Sequence, residues 1–155
     1  MANPAEWGPK LWKIIHTVCS RLGTNTLKLE QNDEINYYNQ FVKSIGYVLP
    51  CKICKTHFKN YALKNKKIVE YYNLKEYATN YFFNLHNEVN SEKMKALFLK
   101  EELQIYSLIR TNEFNSTIAE LNTLLQSYVL YRYIPIDVVK EFNLSLQRIR
   151  NSIHL

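Results

Sequence analysis

The sequence predicts an all-α protein, and three features lead there. Only three glycines and four prolines occur in 155 residues, too few for the many tight turns of a multi-stranded β protein. Apolar residues recur at spacings of three and four through most of the chain. With 46% hydrophobic and 22% charged residues, the balance is that of a folded domain and not of a disordered chain.

The elements follow in order. Pro9 suits the first position of a helix carrying Leu11, Ile14, Ile15, Val18 and Leu22, with Gly23 as the residue that ends it. Asn32 or Asp33 can cap a second helix with Ile35, Tyr38, Phe41, Ile45 and Val48 on one face. Pro50 stops it, because the residue before a proline is pushed out of the α region. A third helix begins at or beside Cys51 and continues through Tyr61 and Leu63. Asn73 with Glu76 reads as a capping box for a fourth, bearing Leu74, Tyr77, Tyr81, Leu85 and Val89. A shorter apolar helix is expected from Leu97 to Ile109. Thr111 to Ser116 reads as a linker, and Thr117 with Glu120 as a second capping box, opening a helix with Leu121, Leu124, Leu125 and Tyr128. Pro135 breaks that helix, and Asp137 caps a last one lined by Val139, Phe142, Leu146 and Ile149. The expectation is a helical bundle over about residues 5–110 with a helical hairpin behind it.

Composition excludes several functions. No apolar run approaches the ~20 residues of a membrane span, and MANPAEWGPK lacks the pattern of a secretion signal. The formal charge is +6, but Lys and Arg are diluted by Asn, Tyr and Glu, unlike the dense stripe of a nucleic-acid binder. Three cysteines, Cys19, Cys51 and Cys54, are too few for a disulfide-stapled scaffold.

Two of them form a CxxC in LPCKIC, just after a proline and at a helix start. Unpaired backbone N–H groups and the positive end of the helix dipole favour a thiolate there. Such a pair can close a disulfide that exchanges with an outside thiol. The competing reading is zinc, held by Cys51, Cys54, His57 and His86 in an interaction module that catalyses nothing. Against it, His86 must be recruited alone from 29 residues beyond His57. A helical thiol–disulfide carrier without a cofactor is a third reading.

Two more constellations accompany the cysteines. Trp12 and His16, four apart and close to Trp7 and Gly8, share a helix face that could wall a planar aromatic ligand. In FFNLHNEVN, Phe82, His86 and Asn90 are spaced by four, so one face offers an aromatic and two hydrogen-bonding groups. That suits a heterocycle which stacks and also needs donors and acceptors. Lys95 could reach a phosphate placed just past this helix.

In this order and at these separations, WGPKLWKIIH at 7–16, LPCKICKTHF at 49–58 and HNEVN at 86–90 followed by Lys95 resemble the Erv/ALR family of FAD-dependent sulfhydryl oxidases. The resemblance spans roughly residues 5–110. It implies a four-helix bundle with a short fifth helix, cradling FAD at one end and usually forming a homodimer. The catalytic domain it implies spans 1–110; outside it, a helical extension over 111–155 is expected from its apolar stripes to pack on the domain or form an interface. The implied FAD-site residues are Gly8, Trp12, His16, His57, Phe83, His86, Asn87, Val89, Asn90 and Lys95. Cys51 matches the cysteine that exchanges with an incoming protein dithiol, and Cys54 the one facing the isoalloxazine. Electrons would pass to oxygen and give hydrogen peroxide. No metal, nucleic acid or membrane span is implied.

The departures from the family are specific. No cysteine follows Cys54, so the additional structural disulfide and the tail shuttle pair of many members are absent, and Ala5 and Glu6 stand where a basic residue is common. A partner with its own CxxC is then the natural substrate. The chain is most similar to the minimal oxidases of large cytoplasmic DNA viruses. That implies the host cytoplasm, a virus assembly site or the virion, with the mitochondrial intermembrane space as the alternative.

Overall fold

The structure is a computed structural model, and it describes residues 2–155. Among these, regular structure is helical throughout: α1 (Pro4–Ser20), α2 (Lys28–Val48), α3 (Lys52–Lys64), α4 (Leu74–Glu92), α5 (Gln104–Ser107), α6 (Thr111–Leu130) and α7 (Ile136–Ser152). A 3₁₀ turn at Tyr71–Asn73 leads into α4, and another at Lys100–Leu103 leads into α5.

α1 and α2 are the hub. α4, α5 and α6 lie along α1, while α3 and α7 lie along α2. Ile14, Val18, Leu22, Phe41, Leu74 and Phe82 are fully buried between them. α3 comes close to α2 because residue 46 is glycine: a Cβ there would stand 3.0 Å from Cδ1 of Phe58. That close approach sets where α3, and with it the CxxC, sits against the bundle.

Several helix ends differ from the sequence reading, each for a local reason. α1 starts five residues before Pro9, because the Asn3 side chain caps it by accepting from Ala5 N–H and Pro4 takes the tolerant first turn. α2 starts at Lys28, ahead of Asn32, behind Leu27 and without a side-chain cap. The Asn73 capping box does not form: the 3₁₀ turn feeds Asn73 into α4 with its side chain bonded to no helix N–H. The short helix contracts to Gln104–Ser107.

The largest difference concerns Thr111–Ser116. These residues are no linker but the first turns of α6, and Thr117 donates back to Glu113 C=O instead of capping. Phe114 explains it. Its side chain is wholly buried, with the Arg150 guanidinium 5.2 Å above the ring.

α6 and α7 bury their apolar stripes inside the chain. The exposed ion pairs Lys10–Glu120 and Lys13–Glu113, together with the Tyr128 hydroxyl donating to Glu6, set α6 antiparallel along α1. On the other side, Phe142 packs near Phe41 and the buried Ser44 and Ser145 hydroxyls meet at 2.7 Å. From its apolar stripes and its tyrosines near Pro135, the sequence leads us to expect this hairpin in a subunit or partner contact, with thickening of the bundle core as the alternative. Its two helices face α1 and α2 more than each other.

Candidate active site

Cys51 is the N-cap of α3, in an extended conformation, and a disulfide joins it to Cys54. The Cys54 backbone N–H points at the Cys51 sulfur, 3.3 Å away. That N–H is one of the unpaired donors of a helix start, so negative charge on the Cys51 sulfur is favoured there. Cys51 is 7% exposed and Cys54 somewhat more.

Cys54 lies on one wall of an apolar cleft. Trp7, Gly8, Leu11 and Trp12 of α1 line it, with Leu49 and Ile53 near the disulfide, Phe58 beyond, and Leu85 and Val89 of α4 opposite. Two details of the cleft suit a flat, largely apolar ligand with a few polar atoms. The Trp7 indole N–H is buried and has no hydrogen-bond partner. Gly8 faces open space, a Cβ there meeting nothing within 4 Å. A donor left dry costs free energy unless something accepts from it. The residues therefore fit a planar, largely apolar ring such as an isoalloxazine.

Next to the cleft is an aromatic stack. Trp12 lies 4.1 Å from His86, nearly parallel, and His16, Phe98 and Tyr106 continue the cluster. His16 Nε2 and His86 Nδ1 are 3.0 Å apart, so one ring donates and the other accepts. Burial, with His86 alongside, pushes the His16 imidazolium down to about 3, and burial together with the Lys95 ammonium holds His86 at about 4. Both rings are neutral at pH 7. The chemistry they offer is hydrogen bonding and stacking, not charge.

This pair makes stability depend on pH. Both groups have folded values below the unfolded 6.5, so the unfolded chain binds more protons as pH falls. The contribution is complete above about 6.5 and is lost on acidification towards 4. The thermal midpoint is expected to drop over that interval. The double variant His16→Gln, His86→Gln should flatten the drop in a pH series of melting curves.

The remaining predicted residues divide. His57 lines the cleft, but its two ring nitrogens face Glu88 at 3.1 Å and Glu92 at 3.3 Å, tying α3 to α4. Asn87 spends both ends of its amide on the Phe98 backbone, accepting from its N–H at 2.7 Å and donating to its C=O at 2.9 Å. It is a clamp that folds the chain back so that the Phe98 ring joins the histidines. Asn90 C=O accepts from Lys95 N–H, which turns Lys95 back beside the end of α4. Phe83 is half-buried on α4 and is not part of the cleft wall; Phe82, its neighbour, is the core residue.

The four residues of the zinc reading are not brought together. The cysteines are bonded to each other, His57 meets Glu88 and Glu92, and His86 meets His16. Phe98, Tyr106 and Trp7 were not singled out from the sequence as ligand-facing. Trp7 could have been, since it opens the first motif, but Phe98 and Tyr106 read only as apolar positions of the helix expected from Leu97 to Ile109.

Cys19, three residues after His16, is 1% exposed, and burial pushes its thiol far up. A thiol held neutral and out of reach cannot relay a disulfide. Cys19→Ala is expected to leave turnover within about twofold and to cost about 1 kcal/mol for the lost packing. Thiol loss and thermal melting of the variant check both. A large loss confined to protein dithiols would assign Cys19 a relay role instead.

The sequence model of the Erv1/Alr family matches residues 9–107. The FAD-linked sulfhydryl oxidases of two African swine fever virus isolates, from a Kenyan pig and a Malawian tick, are each 29% identical over 115 residues, covering 72% of this chain and 91% of the relative. A protein of Invertebrate iridescent virus 6 is 26% identical over 99 residues, covering 61% of this chain and 86% of its own. No solved structure gives a significant match. With its disulfide and aromatic stack inside a family match that covers most of its length, the chain belongs to the Erv1/Alr family.

Proposed function

We propose that the chain is an FAD-dependent sulfhydryl oxidase, which takes two electrons from a protein dithiol and passes them to oxygen. The observation that carries this reading is a disulfide at a helix N-cap, with one of its sulfurs on the wall of an apolar cleft. The viral relatives named as FAD-linked sulfhydryl oxidases support it.

The first half-reaction follows from the pair itself. A substrate thiolate attacks Cys51, the S–S bond breaks, and Cys54 leaves as a thiolate. The second substrate thiolate then attacks the substrate sulfur of the mixed disulfide and releases Cys51 as a thiolate. The substrate ends oxidised by two electrons, and the pair ends reduced. Two observations support this assignment of the cysteines: Cys54 is the one that lines the cleft, and the Cys51 sulfur receives the helix-start N–H.

When bound, FAD supplies a two-electron acceptor that oxygen can reoxidise, releasing hydrogen peroxide. The chain's own work is to hold and shield it. Gly8, Trp12, Val89 and His57 border the ring slot, and Trp7 offers it an N–H. His16 and His86 stack and hydrogen-bond as neutral rings, Asn87 and Asn90 shape the turn after α4, and Lys95 supplies positive charge for a diphosphate.

Among the described residues no helix is long and apolar enough to cross a membrane. With viral relatives, a place in host cytoplasm, at an assembly site or in the virion is the reading we adopt. The test is direct. Purified protein should be yellow, release FAD on heat denaturation, and consume oxygen when given a dithiol. Folded protein that takes up no flavin even when refolded with FAD would contradict the proposal.

A further inference from the structure

Resting on the thiol-oxidase reading, we infer that the protein dithiol it serves carries acidic residues beside its cysteines, and that the lysines of α3 and of the loop after it receive them. No Asp or Glu occurs from Ile35 to Val69, while Lys52, Lys55, Lys59, Lys64, Lys66 and Lys67 follow the first cysteine within sixteen residues. All but the half-buried Lys55 are exposed. Among the described residues none of the six is in an ion pair, although Lys10 and Lys13 on α1 both are.

Their placement is what argues for a partner. The helix that presents the lysines is the one that starts on the redox disulfide. Lys52 and Lys55 each adjoin a cysteine, and Lys59 continues their flank of the helix. From Cys54 to Lys64 is ten residues, about 15 Å of helix, which an extended peptide spans with about five residues.

At that far end lies a cavity of about 570 Å³ between α3, the following loop and α4. Lys64, Lys66 and Lys67 form one side, and Tyr77, Asn80 and Asn84 of α4 form the other, with one carboxylate, Glu76, on the rim. Three lysines and four asparagines around a polar hollow suit carboxylate side chains. Docked carboxylates would relieve the repulsion among these lysines. The surface would therefore raise the encounter rate of an acidic dithiol segment and hold its cysteines over Cys51.

The experiment compares synthetic CxxC peptides flanked by four glutamates, four glutamines or four lysines, with the holoenzyme and with dithiothreitol as a small dithiol. At low salt the glutamate peptide should exceed the glutamine peptide in kcat/KM by about tenfold, and the gap should close as salt screens the charges. Lys59→Glu with Lys64→Glu and Lys67→Glu should remove the preference while dithiothreitol turnover stays unchanged. Lys28→Glu with Lys140→Glu, exposed on α2 and α7, should retain most of the preference.

Equal rates for the three peptides would overturn the inference. So would an equal loss in the α2/α7 variant, which would make the effect one of net charge alone. If a single-stranded oligonucleotide binds the α3 lysines while peptide charge has no influence, the surface is a nucleic-acid site and the inference falls. Absence of dithiothreitol oxidation by the wild type would sink the thiol-oxidase reading itself, a different result from the others.

Discussion

Replacing Cys54 by serine is expected to lower dithiol oxidation on the order of a thousandfold or more, while the protein stays yellow. A hydroxyl cannot form the exchangeable bond with Cys51, so the first half-reaction has no leaving group. The cleft meanwhile loses one sulfur among many apolar contacts. Cys51→Ser should fall as far, for the complementary reason that no sulfur remains at the N-cap for the substrate to attack. Parallel measurement of oxygen uptake and flavin content separates chemistry from binding. Activity surviving in either variant would mean that the redox pair is misassigned.

The second large effect concerns the α6–α7 hairpin. A chain ending at Arg110 is expected to be insoluble, or molten when refolded. α7 contributes Val139, Phe142, Leu146 and Ile149, each at most 2% exposed, and these four alone are worth roughly 6–12 kcal/mol of burial. Net stability of a domain is only about 5–15 kcal/mol. Truncation also strips the cover from Phe41 and Ser44 on α2, and removes Glu113 and Glu120, partners of Lys13 and Lys10. The truncated chain should pellet, or should lack the near-ultraviolet signature of packed aromatics. A soluble, folded, flavin-binding 1–110 fragment would show that the hairpin is a dispensable appendage.

Much of this was legible in the sequence because helical periodicity survives wherever one face is buried. The apolar positions expected on α1, α2 and α7, from Leu11 to Val18, from Tyr38 to Val48 and from Val139 to Ile149, are buried. The N-cap place of Cys51 followed from Pro50. Boundaries failed where a polar run hid a helix. Thr111–Ser116 reads as a loop by its Asn, Glu, Ser and Thr, yet Phe114 needs the core, and that need is tertiary. Capping boxes were over-read in two ways: Asn73 is the N-cap of α4 but its side chain makes no capping bond, and Thr117 lies inside α6, where the same spacing also occurs.

The site was legible at its motifs and not between them. Trp12, His16 and His86 share one stack although 70 residues separate the two histidines, because α1 packs on α4. Spacing alone placed each on a face but could not say that the faces meet. Phe98 was legible only as one apolar position of an expected helix. It enters the stack only because Asn87 clamps its backbone, a contact that no periodicity announces.

The central claim is that electrons pass from a dithiol through Cys51–Cys54 to a flavin beside Cys54. Anaerobic titration of the purified protein with a dithiol tests it most directly, followed through the visible absorbance of the bound flavin. Bleaching of the wild type, restored on admitting oxygen and absent in Cys54→Ser, is the expected result. A colourless protein, or a flavin that bleaches equally in the Cys54→Ser variant, would contradict the account.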